Sequence, residues 1–297
     1  MNIIVNGASG YIGYHLTAAL INKGHTVYAV CRKNAGLLKH LPRSQRLNIV
    51  ISQQSDIGKK LSSICPDVWY QTAWEGSLGN MRADPEVQIQ NEILSVGAMQ
   101  TAKDIGCKKI IYTGTVYENI SEEILRNPAF DKNSFYILAK KHAYEMTFQL
   151  SKRLGIEYVW CRFCQPAGEY MSENQLLPYA IRSFVKNEPT AFGSCSQFFD
   201  IISVRYLAEA LTVLGEKKCK KNVYYVGSGE PKILREYISK AAEICGYSLD
   251  IGFGKRPDDG MVFKKEWFDN SEFVSEFGSI NGYSFEDTVS EMAGKYR

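Results

Sequence analysis

The first 165 residues alternate between two hydrophobic textures. Short apolar, β-branched and aromatic runs stand at NIIVNG, HTVYAVCR, LNIVIS, DVWYQTAW, KKIIYTGT and EYVWCRF, and each predicts a strand. Between them, YIGYHLTAALINKG and the stretches from about 85 to 106 and about 134 to 154 are amphipathic. They close on Gly24, Gly106 and Gly155, which are helix stop signals. Strands separated by helices of this length imply a parallel sheet covered on both faces. The right-handed crossover rule makes that a doubly wound, Rossmann-type α/β fold. After Pro166 the segments become shorter and more mixed, as in LLPYAIRSFVKNE and NVYYVGSGEP. The expected organisation is a dinucleotide-binding domain over residues 1–165 and a smaller mixed α/β portion over 166–297. A stretch at about 199–226, carrying SVRYLAEALTVLG, is expected to return to the sheet.

Composition narrows the classes of function. With 45% apolar and 23% charged residues, the chain is an ordinary globular sequence. A net charge of +3 is too small to argue for nucleic acid or a membrane surface. The densest basic run, Lys217 to Lys221, reads as a solvated loop. No run of 18 apolar residues suggests a membrane span, and MNIIV enters a strand at once, so the expected location is the cytoplasm. The 8 cysteines are scattered. Cys161 and Cys164 have CxxC spacing, but they fall in an apparent buried strand with no second pair to complete a zinc site. They read as reduced core cysteines, and no metal is expected.

Gly7, Gly10 and Gly13 form G-x-x-G-x-x-G between the first strand and the first helix. A pyrophosphate needs that tight turn and the close approach to backbone N–H groups at a helix N-terminus. The place predicts a dinucleotide site. In such sites an acid at the end of the second strand binds the ribose 2′-hydroxyl of NAD. Here that place reads Cys31, Arg32, Lys33. Removing the acid and adding cations favours NADP(H), with NAD as the alternative. Asp56 and Ile57, after the third strand, are candidates for the adenine, the Asp as a hydrogen-bond acceptor and the Ile as an apolar face.

Tyr136 and Lys140 are four apart on a predicted helix and share a face. They follow a strand ending in Thr113 and Thr115. The spacing alone carries little weight, but the ordered set does more. GASGYIG at 7–13, SDI at 55–57, Asn91, TGTVYE at 113–118 and YILAK at 136–140 resemble the extended short-chain dehydrogenases. That group contains sugar-nucleotide epimerases, dehydratases and reductases. Weaker echoes at RFCQPAG, FDIISV and VGSGEP extend the resemblance over most of the chain.

The resemblance implies roles. Tyr136 would be the acid/base at the reacting oxygen, Lys140 would lower its pKa and hold the nicotinamide ribose, and Thr113 would fix the substrate oxygen. Tyr11, Ile12, Thr72 and Ala73 would join the glycines around the cofactor. The loop WEGSLGNMR offers Trp74, Ser77 and Arg82 to a sugar, and Thr115 is a further substrate candidate. The implied substrate is a nucleotide-linked sugar, and the implied assembly is a homodimer through helices at about 85–105 and 134–154.

Two departures refine this. Dehydratases of the group carry an Asp-Glu pair where this chain has Gly114 and Thr115, so dehydration is not expected. A phosphate-binding Arg is replaced by Phe199, while Arg256 stands where a second one is usual. Arg32 then tips the reading toward an NADPH-consuming reductase of a 4-keto (6-deoxy) sugar nucleotide. An epimerase with tightly held NAD is the alternative. A non-catalytic NADP-binding regulator is the rival from another class, and the presence of Thr113, Tyr136 and Lys140 together weighs against it.

Overall fold

The computed structural model describes residues 1–124, 126, 131–258 and 260–297, with the side chains of residues 131 and 132 left aside. The chain divides into two compact units, Met1–Arg162 with Ala208–Tyr224, and Phe163–Leu207 with Tyr225–Arg297.

The first unit is built on seven strands: β1 (Asn2–Asn6), β2 (Thr26–Cys31), β3 (Leu47–Ile51), β4 (Val68–Gln71), β5 (Lys109–Thr113), β6 (Glu157–Arg162) and β7 (Val223–Tyr225). Their order in the sheet is β7-β6-β5-β4-β1-β2-β3. The pairings from β3 through β6 are all parallel. The order reverses between β1 and β4, and ligands in such folds bind beyond the strand C-termini at that reversal. This is the doubly wound sheet expected from the alternating pattern.

Three helices matter to the site. Helix α1 (Tyr11–Asn22) starts at Gly10, and the chain then reverses through Gly24 at φ +86°. Helix α2 (Pro85–Asp104) has Asp84 as its N-cap, accepting from the Glu86 and Val87 N–H groups, and Pro85 at its first position. Helix α3 (Asp131–Leu154) begins a few residues before the expected start and ends before Gly155 at φ +62°. On α2, Gln88, Asn91, Ser95, Ala98, Met99 and Ala102 face inward at helical spacing. Its apolar members join Ile4, Ile57, Trp69, Ile110 and Trp160 in the core. In the segment Ala208–Tyr224, the Leu211 carbonyl accepts from the buried Tyr70 hydroxyl at 2.9 Å.

The second unit holds a parallel pair of short strands, Gln165–Ala167 with Ile201–Ser203, and an antiparallel pair, Phe198–Phe199 with Lys232–Ile233. Buried Asp200 ties this unit together. Its Oδ2 accepts from the Tyr225 hydroxyl at 2.6 Å and the Ser228 N–H at 3.0 Å. β6 stops at Arg162, so Cys164 lies beyond the strand that the sequence pattern extended to it. Both cysteines are buried and free, and burial pushes both thiols up.

Among the described residues, no helix is long and apolar enough to cross a membrane.

Candidate active site

A cleft at the C-terminal edge of the first unit's sheet is lined by Gly7, Ser9, Gly10, Arg32, Thr72, Ala73, Trp74 and Glu75. Its floor is steric. Gly7 sits at φ +88°, and a Cβ there would lie 2.5 Å from the Ala73 nitrogen. A Cβ on Gly13 would lie 2.2 Å from the Gly7 carbonyl oxygen. These two glycines are required by the protein's own backbone packing. Gly10 is different. Its φ of −84° suits any residue, and a Cβ there would meet only the Gly7 carbonyl oxygen at 3.4 Å. The space above Gly10, at the first turn of α1, is open. That is the approach a pyrophosphate needs. Thr72 braces the cleft, its hydroxyl donating to the Asn6 carbonyl at 2.8 Å.

The adenine candidates fare differently. Asp56 is exposed beside the cleft's end of the sheet, but Ile57 is fully buried in the core with Met99 and Ala102. An adenine ring would find no Ile57 side-chain surface to stack on, which corrects that expectation. The pattern of a short turn after β3 could not distinguish a core isoleucine from a ligand-facing one.

Beyond the cleft's Trp74, with the two ring centroids 6.1 Å apart, stands Tyr136, 7% exposed. The Arg82 guanidinium lies over its ring, 3.9 Å from the centroid, and over Tyr117 at 5.0 Å. Arg82 Nη1 donates to the Ser77 carbonyl at 2.9 Å, so Ser77 contributes its backbone to holding Arg82. The whole loop is fastened to α2. The buried Gln88 amide donates to the Gly76 and Met81 carbonyls, and the Trp74 indole N–H donates to Gln88 Oε1 at 2.9 Å. Burial, with Glu118 adding to it, holds the Tyr136 phenol above its ordinary value, against the opposing pull of Arg82 and of a hydrogen bond with the Thr115 side chain.

Lys140 lies beside Thr113 and Trp74. Its ammonium donates to the Thr113 carbonyl at 2.8 Å and lies 3.7 Å from the centre of the Trp74 ring. Burial pulls it down to about 7, with Glu118 opposing. Among the described residues, Arg82 is the cation that favours the Tyr136 phenolate. The Thr113 hydroxyl donates to the Gln71 carbonyl at 3.3 Å.

Sequence reasoning missed Glu118. Its carboxylate is fully buried and accepts from the Thr115 N–H at 2.8 Å, the Trp160 indole at 2.9 Å and Arg162 Nε at 2.8 Å. It closes a capping box with Thr115, whose hydroxyl accepts from the Tyr117 N–H. This network also explains Gly114. A Cβ there would lie 2.1 Å from the Trp160 indole nitrogen and 2.8 Å from Glu118 Oε1. An Asp at that place cannot fit, so the missing acid of a dehydratase is excluded by packing.

The family model of the NAD dependent epimerase/dehydratase family matches residues 3–227. The chain belongs to that family. It is thus an enzyme of the extended short-chain dehydrogenase type, as the motifs implied. A dTDP-6-deoxy-L-talose 4-dehydrogenase (NAD(+)) of Aggregatibacter actinomycetemcomitans is 22% identical over 247 residues, 81% of this chain and 89% of that one. A putative UDP-arabinose 4-epimerase of Arabidopsis thaliana is 24% identical over 300 residues, covering 87% and 68%. Among solved structures, a UDP-N-acetylglucosamine 4-epimerase from Methanobrevibacter ruminantium superposes with a TM-score of 0.80 at 20% identity, covering 99% of this chain and 97% of that one. A UDP-glucuronic acid 4-epimerase from Bacillus cereus, in complex with UDP-glucuronic acid and NAD, gives 0.79 at 22% identity, covering 100% and 98%. At these identities the superpositions establish the shared fold.

In the second unit, a cavity of about 490 Å³ is lined by Tyr179, Arg182, Phe192, Cys195, Arg256 and Asp258, among others. Arg256 lies over the Tyr179 ring at 5.2 Å. Phe199 is buried on its short strand against Phe263. Among the described residues, no cluster of His, Cys, Asp or Glu is placed to hold a metal ion.

Proposed function

We propose that this enzyme is an oxidoreductase of nucleotide-linked sugars that interconverts a 4-keto (6-deoxy) sugar nucleotide and its 4-hydroxyl form, with Tyr136 as acid/base. The observation that carries the reading is the environment of Tyr136. A buried phenol, kept protonated by its burial, is hydrogen-bonded to Thr115 and faced by Arg82, and these two partners offset part of the cost of the phenolate left after proton donation. When bound, a nicotinamide dinucleotide supplies or accepts the hydride. Gly7, Gly10, Gly13 and the first turn of α1 would hold its pyrophosphate, with Tyr11, Ile12, Thr72 and Ala73 around it and Asp56 near its adenine. Tyr136 gives its proton to the oxygen being reduced, or takes it in the reverse direction. Thr113 and Thr115 would orient that oxygen, and Lys140 supports them through the Thr113 carbonyl. The 22% identical relative named as a 4-dehydrogenase supports chemistry at that carbon.

Arg182 and Arg256, which line the second unit's cavity, are that unit's candidates for binding a phosphate. A homodimer through α2 and α3 would cover Ile89, Ile93 and Met146, which are 55%, 58% and 49% exposed.

A second reading, a 4-epimerase with retained NAD, is favoured by one observation. Arg32, the cation that argued for a consumed NADPH, has its guanidinium taken by Glu75. Following NAD(P)H absorbance with a panel of 4-keto sugar nucleotides tests the first reading. Net oxidation of added cofactor is expected. Bound NAD that copurifies, with 4-hydroxyl epimers exchanging and no net absorbance change, would replace it with the second.

A further inference from the structure

Arg32 and Glu75 follow the C-terminal ends of β2 and β4, the two strands that flank β1. The glycine turn leaves β1 between them. The Glu75 carboxylate takes both ends of the Arg32 fork, Nη1 to Oε2 at 2.5 Å and Nη2 to Oε1 at 3.0 Å. Both residues line the same cleft as Gly7, Ser9, Gly10 and Thr72. Glu75 is not a loose surface acid. Its N–H donates to Asn91 Oδ1 at 2.9 Å and its carbonyl accepts from Asn91 Nδ2 at 2.7 Å. Asn91 is itself buried on α2, so the backbone that carries the carboxylate is held in place.

We propose that Glu75 decides between NAD and NADP, supplying from beyond the end of β4 the carboxylate that the end of β2 lacks. The inference rests on the dinucleotide site proposed above. Cys31 is buried and carries no acid, so the sequence around it reads as a site for a 2′-phosphate. Glu75 changes that balance in two ways. A carboxylate accepts a hydrogen bond from a ribose 2′-hydroxyl and repels a 2′-phosphate. By pairing bidentately with Arg32, it also occupies the guanidinium fork that would otherwise clamp the phosphate. Arg32, with Lys33 acting on the same carboxylate, holds Glu75 below its ordinary carboxylate value. The pair is half exposed on both sides, and an ion pair so placed is weakly held. A 2′-phosphate can therefore compete for Arg32, and the preference for NAD is modest and reversible by one substitution.

The test is equilibrium binding of NAD+ and NADP+, by calorimetry or quenching of tryptophan fluorescence, to the wild type, Glu75→Gln, and the Glu75→Gln/Arg32→Ala double variant. Glu75→Gln keeps the size of the side chain and removes its charge. It is expected to move the ratio of the two Kd values toward NADP+ by about 5- to 30-fold. The double variant is expected to lose most of that gain, because the freed guanidinium is what collects the phosphate. An unchanged ratio in Glu75→Gln, or a gain that survives without Arg32, overturns the assignment. A wild type that binds neither dinucleotide overturns the cofactor site itself, which is a different failure from a ratio that does not move.

Discussion

The glycine turn and the surroundings of Tyr136 are built on different principles. At the glycine turn, backbone geometry decides. Gly7 has a positive φ, and Gly13 presses on the Gly7 carbonyl so closely that no side chain fits. At the tyrosine end, side chains from separate segments decide. Arg82 comes from the loop after β4, Glu118 and Thr115 from the turn after β5, Trp160 and Arg162 from β6, and Tyr136 and Lys140 from α3. The first end depends on shape and the second on a balance of charge and burial. Substitutions should therefore separate binding and folding from turnover.

The largest separation is expected at Tyr136. Tyr136→Phe removes one oxygen and keeps the ring under Arg82. Turnover should fall by about 10²- to 10⁴-fold, the usual contribution of a placed acid/base. Dinucleotide affinity should stay close to wild type, since the glycine turn is untouched. Retained turnover would remove Tyr136 from the chemistry, and lost cofactor binding would show that the two ends are not separable.

The glycine end gives the next largest effect. Gly13→Ala sets a Cβ against a backbone oxygen with no flexible partner to yield, and should cost about 3 kcal/mol of stability in urea denaturation. Gly10→Ala has no such clash. It should leave stability within about 1 kcal/mol of wild type and weaken dinucleotide binding, because its methyl stands in the open approach to α1. Equal losses of stability in both variants would mean that Gly10 serves the fold alone.

This contrast explains what could be read in the sequence. β1, α1 and the stop at Gly24 were legible because each is written in consecutive residues, and the same holds for the glycine turn. Thr113, Tyr136 and Lys140 were legible as an ordered set. Their working partners were not. Glu75 meets Arg32 across 43 positions, and Glu118 meets Trp160 and Arg162 across 42 and 44. Nothing local in WEGS or TVYE announces those pairings. A signal existed at Glu118, a lone carboxylate three residues after Thr115 in capping-box spacing, but its burial needed β6 beside it. Ile57 shows the opposite error. A local motif suggested a ligand contact, and the core claimed the side chain.

The smallest of these effects would show which cation serves Tyr136. The Lys140 ammonium is pulled by burial from its ordinary 10.5 down to about 7. The unfolded chain keeps this proton up to about pH 10.5, while the folded chain releases it near 7. Below pH 7 the folded protein thus bears the full cost of a buried charge. From about 7 to 10.5 the unfolded state binds more protons, so stability rises with pH. Lys140→Met removes that dependence. Its stabilising effect relative to wild type, measured by urea denaturation without added cofactor, should be about 2 kcal/mol greater at pH 6 than at pH 9. The same difference at both pH values would mean that Lys140 stays charged throughout. It would then remain a cation beside Trp74 and Thr113, able to act on the phenol as the motif implies. The expected pH dependence leaves Arg82, whose guanidinium lies over the Tyr136 ring, as the cation that works against the effect of burial on that phenol.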